Sequence, residues 1–142
     1  MKIRAFAESD RKAVIGLWKS CGLTRPWNDP DKDISRKLAV QPELFFVGEL
    51  QCKLVASAMA GYDGHRGSVF YLAVLPEYQN SGLGRLLMEE VESALKSMGC
   101  PKINIVVRST NKKVLDFYES LGYSLDDVVS LGKRLIPDNG QT

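Results

Sequence analysis

The sequence predicts an α/β fold: a single domain over residues 1–142, built as one mixed β-sheet with helices packed on it. Three observations predict it. Short apolar runs of strand length alternate with longer stretches whose apolar residues recur at helical spacing. Glycine, proline and asparagine clusters separate these segments at short intervals. The chain has 142 residues, 44% of them hydrophobic, enough for one ordinary core and too few for two comfortable ones.

Ile3 to Phe6 can form a first strand. Ser9 can cap a helix in which Ala13, Val14, Leu17 and Trp18 share a face, ending near Gly22. Pro26 and Pro30 prevent the stretch from Thr24 to Pro30 from continuing it. A second helix is expected from Asp31 to Val40, with Ile34 and Leu38 inward. Leu44 to Leu50 and Leu54 to Tyr62 read as strands joined by a tight turn at Gln51-Cys52-Lys53. Val69 to Leu75 is a continuous apolar run, as in a strand covered on both faces.

From Leu83 the apolar residues fall at 83, 86, 87, 91, 94, 95 and 98, a helical stripe that stops at Gly99. Ile103 to Val107 reads as a buried strand, and Asn111 to Leu121 as a helix ended by Gly122. Two last strands are expected between Tyr123 and Ile136, and the last six residues are expected to fray. The full order is β-α-α-β-β-β-α-β-α-β-β.

Composition narrows the function. The 19 basic and 17 acidic residues are well mixed and give a net charge of +2. There is no basic run of five or more, so neither a nucleic-acid nor a membrane partner gains support. Cys21, Cys52 and Cys100 are widely spaced and contain no C-x-x-C pair, which argues against a disulfide framework and a zinc site. No metal is expected. The opening Met1-Lys2-Ile3-Arg4 is not an apolar leader, and the expectation is a cytoplasmic protein.

The stretch from Val69 to Arg85 carries the most chemistry. A buried strand runs into a polar turn and then into the first turn of an amphipathic helix, where Gly82 and Gly84 stand. Amides at a helix start lack partners within the helix, and the helix dipole adds partial positive charge. Glycines let a phosphate approach them. A bare G-x-G also fits a tight turn that binds nothing. The P-loop pattern is absent, and G-x-G-x-x-G fails because position 87 is leucine.

Gln79-Asn80-Ser81-Gly82-Leu83-Gly84, following Leu72-Ala73-Val74-Leu75-Pro76-Glu77-Tyr78, resembles the acetyl-CoA signature Q/R-x-x-G-x-G/A of the GNAT N-acetyltransferases. Asn111, Phe117, Tyr118, Gly122 and Tyr123 match that family's second pattern, N-x-x-x-x-x-F-Y-x-x-x-G-F/Y. The pattern is similar to small bacterial acetyltransferases near the ribosomal-protein alanine acetyltransferase branch.

The resemblance implies acetyl-CoA as acetyl donor and an amine as acceptor. Leu72 and Val74 would meet the pantetheine arm, with Val74 at a bulge where the strand splays from its neighbour. Gln79, Asn80, Ser81, Gly82, Leu83, Gly84 and Arg85 would cradle the pyrophosphate, Asn111 would touch the cofactor arm, and Tyr118 would stand near the thioester sulfur as general acid. Lys112 and Lys113 are candidates for the 3′-phosphate. The acceptor would enter beside the loop from Gly22 to Pro30, making Arg25 and Trp27 candidate substrate contacts. Some relatives pair into homodimers, and the sequence leaves that open.

The general base does not carry over. That branch places a glutamate on the strand five residues before the motif asparagine, and here Val106 stands there. Glu49, Asp63, His65 and Tyr71 remain as candidates. The missing glutamate also keeps a second reading open, a catalytically silent acetyl-CoA-binding or sensor domain.

Overall fold

The computed structural model describes residues 1–138. Its order is β1 (Lys2–Ala5), α1 (Arg11–Ser20), α2 (Pro30–Leu38), β2 (Phe45–Leu50), β3 (Lys53–Tyr62), β4 (Gly67–Val74), α3 (Leu83–Ser97), β5 (Ile103–Asn104) and α4 (Lys112–Ser120). The strands form one sheet in the order β1-β2-β3-β4-β5, antiparallel except for the parallel pair β4–β5. A parallel pair needs a crossover, and α3 supplies it.

Helices cover both faces. Leu87, Met88, Val91 and Leu95 of α3 and Tyr118 of α4 pack with Phe46, Ala56, Ala58 and Val69. On the other face, Val14, Leu17 and Trp18 of α1 and Ile34 of α2 pack with Phe45, Val47, Met59 and Ala73. Phe45 and Phe46 point to opposite faces, as the two-residue period of a strand requires.

Several boundaries follow from local chemistry. The β2–β3 hairpin closes through Gln51 and Cys52 at φ 50° and 64°, the pair of positive values that matches the twist of the flanking strands. Asp29 caps α2 by accepting from the Asp31 amide at 2.9 Å, with Pro30 in the first helical position. Asn111 caps α4 through the Val114 amide at 3.3 Å. At α1 the expected Ser9 cap gives way to a short helical turn over Glu8–Asp10. The Asp10 carboxylate accepts from the Ala7 amide at 2.8 Å and from Arg4 at 2.7 and 2.9 Å. An ionised acceptor held by arginine outcompetes a serine hydroxyl.

Along α3 the buried residues are 83, 87, 88, 91 and 95, whereas Leu86 and Met98, expected inward, are exposed. The stripe is shifted by the position of the sheet, which periodicity alone does not fix.

Two larger differences concern the end of the chain. The strand expected over 103–107 is paired only at Ile103 and Asn104, opposite Gly67 and Ser68, and Val106 is exposed. The two strands expected between Tyr123 and Ile136 do not form among the described residues. Leu125, Val128, Val129, Leu131, Leu135 and Ile136 stay exposed. A strand pattern needs a regular edge to pair with, and β5 leaves the ladder after two residues.

Part of the last six residues, expected to fray, is anchored. Asp138 is buried and accepts from the Asp29 amide at 2.7 Å and from Arg36 at 2.5 Å, while its carbonyl accepts from Lys32 at 2.6 Å. Residues 139–142 of that expectation lie outside the described residues. Arg36 chiefly, then the Asp29 amide, holds the Asp138 carboxyl down at about 2, below an ordinary aspartate. Its contribution is therefore complete above the unfolded value near 3.8 and lost as pH falls through about 2. Hydrogen exchange should find the Asp29 amide protected at pH 5 and progressively open between pH 4 and 2.

Candidate active site

The parting of β4 from β5 makes the site. Beyond Ser68 and Asn104 the two strands separate, and a cleft of about 630 Å³ opens between Val69–Leu72 on one wall and Ile105–Arg108 on the other. That volume suits a small-molecule site. Asn111 and Tyr118 of α4 line it, and α2 closes it with Asp33, Arg36 and Lys37.

A bulge in β4 shapes the cleft. Ser57 of β3 pairs with Ala73, yet Met59 pairs with Phe70, so β4 carries one extra residue. Tyr71 sits there at φ 54°, a left-handed conformation that a bulky residue adopts at a cost of about 1–2 kcal/mol. The expected bulge at Val74 thus lies earlier, around Tyr71 and Leu72. Val74 is back in register with Ala56, and its carbonyl accepts from Gln79 Nε2 at 2.9 Å and Cys21 Sγ at 3.2 Å. Leu72 lines the cleft and Val74 does not.

Three contacts hold Tyr71, and a fourth links two of the residues that make them. Its ring stacks on Trp18 with centroids 3.7 Å apart, and its hydroxyl donates to Asp33 Oδ2 at 2.6 Å. Its carbonyl accepts from Ser57 Oγ at 2.8 Å, and Ser57 Oγ in turn accepts from Trp18 Nε1 at 2.9 Å. Burial first, then the Asp33 carboxylate, pushes the Tyr71 phenol well above its ordinary value, so it keeps its proton.

Tyr118 is buried among neighbours, its ring edge-on to Phe117 and Tyr123. Among the described residues its hydroxyl has no hydrogen-bond partner, although Tyr118 lines the cleft. Burial pushes its phenol up to about 12.

The glycine turn is built as an amide cradle. Asn80 at φ 61° and Gly82 at φ 86° alternate with right-handed or extended neighbours and turn successive N–H groups the same way. Gln79 N bonds to Pro76 O and Leu86 N to Gly82 O, but the amides from Asn80 to Arg85 find no acceptor among the described residues. Gly84 has its own reason. A Cβ there would stand 3.1 Å from Phe117 Cζ, so the residue lets α3 and α4 approach. Ser81 Oγ donates to Tyr78 O, and Arg85 donates to Ser120 O at 3.2 Å, tying the cradle to the end of α4. Arg85 keeps its remaining donors.

The other sequence candidates separate clearly. Arg25 lines the cleft. Trp27 does not; it is 49% exposed, and Arg108 lies over its ring at 5.6 Å. Lys112 and Lys113 are exposed and away from the cleft lining. Of the four base candidates, only Tyr71 reaches the cleft. Glu49 is tied to Arg4 at 2.7 Å, and Asp63 accepts the His65 and Arg66 amides at 2.8 Å within an exposed turn. Asp33, Arg36, Lys37 and Arg108 were missed. Asp33 and Lys37 are four residues apart on α2, so the sequence could mark them as one face. It could not say which side of the helix looks into a cleft.

Comparison with known proteins agrees with this geometry. The sequence matches the Acetyltransferase (GNAT) family over residues 12–123. It is 51% identical to an acetyltransferase of Yersinia enterocolitica over 138 residues, covering 97% of this chain and 98% of that one. Among solved structures, it is similar to the ribosomal-protein-S18-alanine N-acetyltransferase of Escherichia coli, with TM-score 0.71, 26% identity, and 85% and 76% of the two chains covered. It also shares its fold with Ard1 of Thermoplasma volcanium, with TM-score 0.79, 21% identity, and 88% and 83% covered. The chain belongs to the GNAT acetyltransferase family.

The contacts around Tyr71 carry a stability expectation. Ser57→Ala leaves the Trp18 N–H and the Tyr71 carbonyl without their buried partner, and should cost about 1–3 kcal/mol. Urea unfolding followed by tryptophan fluorescence measures it.

Proposed function

We propose that this protein is an acetyl-CoA-dependent N-acetyltransferase that acetylates a primary amine by direct attack in a ternary complex. Two features of elements that pack together, α3 and α4, carry the reading. Unpartnered amides from Asn80 to Arg85 suit a diphosphate, and a phenol free of protein partners, Tyr118, lies on the cleft between β4 and β5. Acetyl-CoA would supply an activated acyl carbon and a thiolate leaving group.

In this reading the cradle binds the pyrophosphate through main-chain N–H groups, with Gln79 and Ser81 fixing its loop and Arg85 adding a charge. The arm then passes Leu72 and Val74 towards Asn111, and Tyr118 faces the sulfur. The neutral amine nitrogen bonds to the acyl carbon, the C–S bond breaks, and the Tyr118 proton passes to sulfur. The proton lost from nitrogen goes to solvent, from which Tyr118 is reprotonated. A phenol near 12 is a weaker acid than an ordinary tyrosine, but it is fully protonated at every working pH.

Direct attack is favoured by the cysteines. Cys21 bonds to Val74 O, its thiol is pushed up by burial, and none of the three cysteines lines the cleft. A thiol held protonated is a poor nucleophile. With valine at position 106, and Glu49, Asp63 and His65 away from the cleft, we assign amine deprotonation to solvent. At pH 7 only about one alkylamine molecule in a thousand is neutral, so the reaction should draw on that fraction.

Two measurements test this. Tyr118→Phe should lower kcat about 10²-fold in a free-thiol release assay while the Kd for acetyl-CoA stays within about twofold. Unchanged turnover would remove Tyr118 from the chemistry. In the parent protein, kcat/KM should rise about tenfold per pH unit between pH 6 and 9 as the amine loses its proton. It should show no falling limb from Tyr118 up to pH 10, because the acid form of a group near 12 persists there.

A further inference from the structure

The charges that face the cleft are unequal. Arg25, Arg36, Lys37 and Arg108 line it, against one carboxylate, Asp33. That carboxylate is already engaged, accepting from Tyr71 at 2.6 Å and from Arg36 at 3.1 Å. Arg36 is in turn neutralised by Asp33 and the buried Asp138.

The other three cations have no carboxylate partner among the described residues. Arg25 donates to the carbonyls of Gly22 and Thr24 only. Arg108 lies over the Trp27 ring, a contact that leaves its outward N–H groups open. Lys37 is the most telling. It is 8% exposed, and its ammonium makes neither a hydrogen bond nor an ion pair among the described residues. Burial lowers its pKa, with Glu43 acting the other way through space and no ion pair between them. An ammonium that burial partly strips of water, with no protein partner, gains from an anion beside it.

The donor does not account for these cations. The amide cradle for its diphosphate lies between Asn80 and Arg85, and none of those residues lines this cleft. We infer that the acceptor is an amine that also carries a carboxylate, held between Lys37 on α2 and Arg108 on the opposite wall. Polyamines and aminoglycosides, which bring several positive charges, meet like charge there.

This inference rests on the transferase reading above, and matched acceptors separate the two. The protein is assayed for free-thiol release with acetyl-CoA and pairs of amines with and without the carboxylate: an α-amino acid against its amide, and a dipeptide against its C-terminal amide. Because amidation also lowers the amine pKa, kcat/KM is expressed per neutral amine. Spermidine and kanamycin form a polycation arm. The carboxylate member of each pair should have at least about tenfold higher kcat/KM, the scale of one charge-assisted hydrogen bond. In Lys37→Met, which keeps the length of the side chain, that ratio should fall towards one through KM.

The donor's Kd, measured in parallel, reports folding and names the source of the anion. If Lys37→Met weakens acetyl-CoA binding and leaves the ratio intact, the cations serve the donor and the inference falls. Should Lys37→Met not fold, Arg108→Gln on the exposed rim replaces it, with the same loss of ratio expected. Transfer to the amides or polycations at equal or higher efficiency overturns the inference alone. No thiol release with any amine overturns the transferase reading together with it.

Discussion

The architecture of this cleft depends on how Tyr71 is held. A tyrosine in the left-handed region is unfavourable by itself, and β4 adopts it because the surroundings over-determine it. Trp18 supplies a stacked face, Ser57 a buried hydrogen bond to the carbonyl, and Asp33 a charged acceptor for the hydroxyl. Three elements, α1, β3 and α2, thus meet at one residue. The bulge they stabilise lies in the stretch of β4 that has parted from β5. The opening between the strands is therefore part of the core packing, not an accident of a loop.

The same network joins the chemistry to its surroundings. Asp33 receives Tyr71 on one oxygen and Arg36 on the other, and Arg36 reaches on to Asp138 near the end of the described chain. Asp138 also accepts from the amide of Asp29, the residue that caps α2. Helix α2, which closes the cleft, is consequently pinned at its cap, along its face and by a distant segment. Its cations are presented on a rigid element. The amide cradle at the start of α3 and the charged wall on α2 then belong to different elements.

This division explains how a widely shared fold can serve many acceptors. The cradle uses main-chain groups, so it depends on backbone conformation at Asn80 and Gly82 and little on side-chain identity. The wall on α2 uses side chains alone, and its charge can change without disturbing the cradle. The match over residues 12–123, which spans both the cradle and α2, defines the family.

The sequence by itself determined the helices and antiparallel strands, because their apolar periods are local. It also marked the turn that opens α3 and the helix α4, because the glycines at 82 and 84 and the Asn111 to Tyr123 pattern are sequence-contiguous signals. Tertiary structure decided the rest. The bulge sits at Tyr71 and not Val74 because partners from α1, β3 and α2 hold it there, and no local signal carries those contacts. Strands expected at 103–107 and 123–136 depend on a neighbouring edge, and β5 leaves that edge after two residues. Asp33, Lys37 and Arg108 are ordinary polar residues in sequence. They line one cleft only because α2 and the segment that follows β5 face each other across a gap.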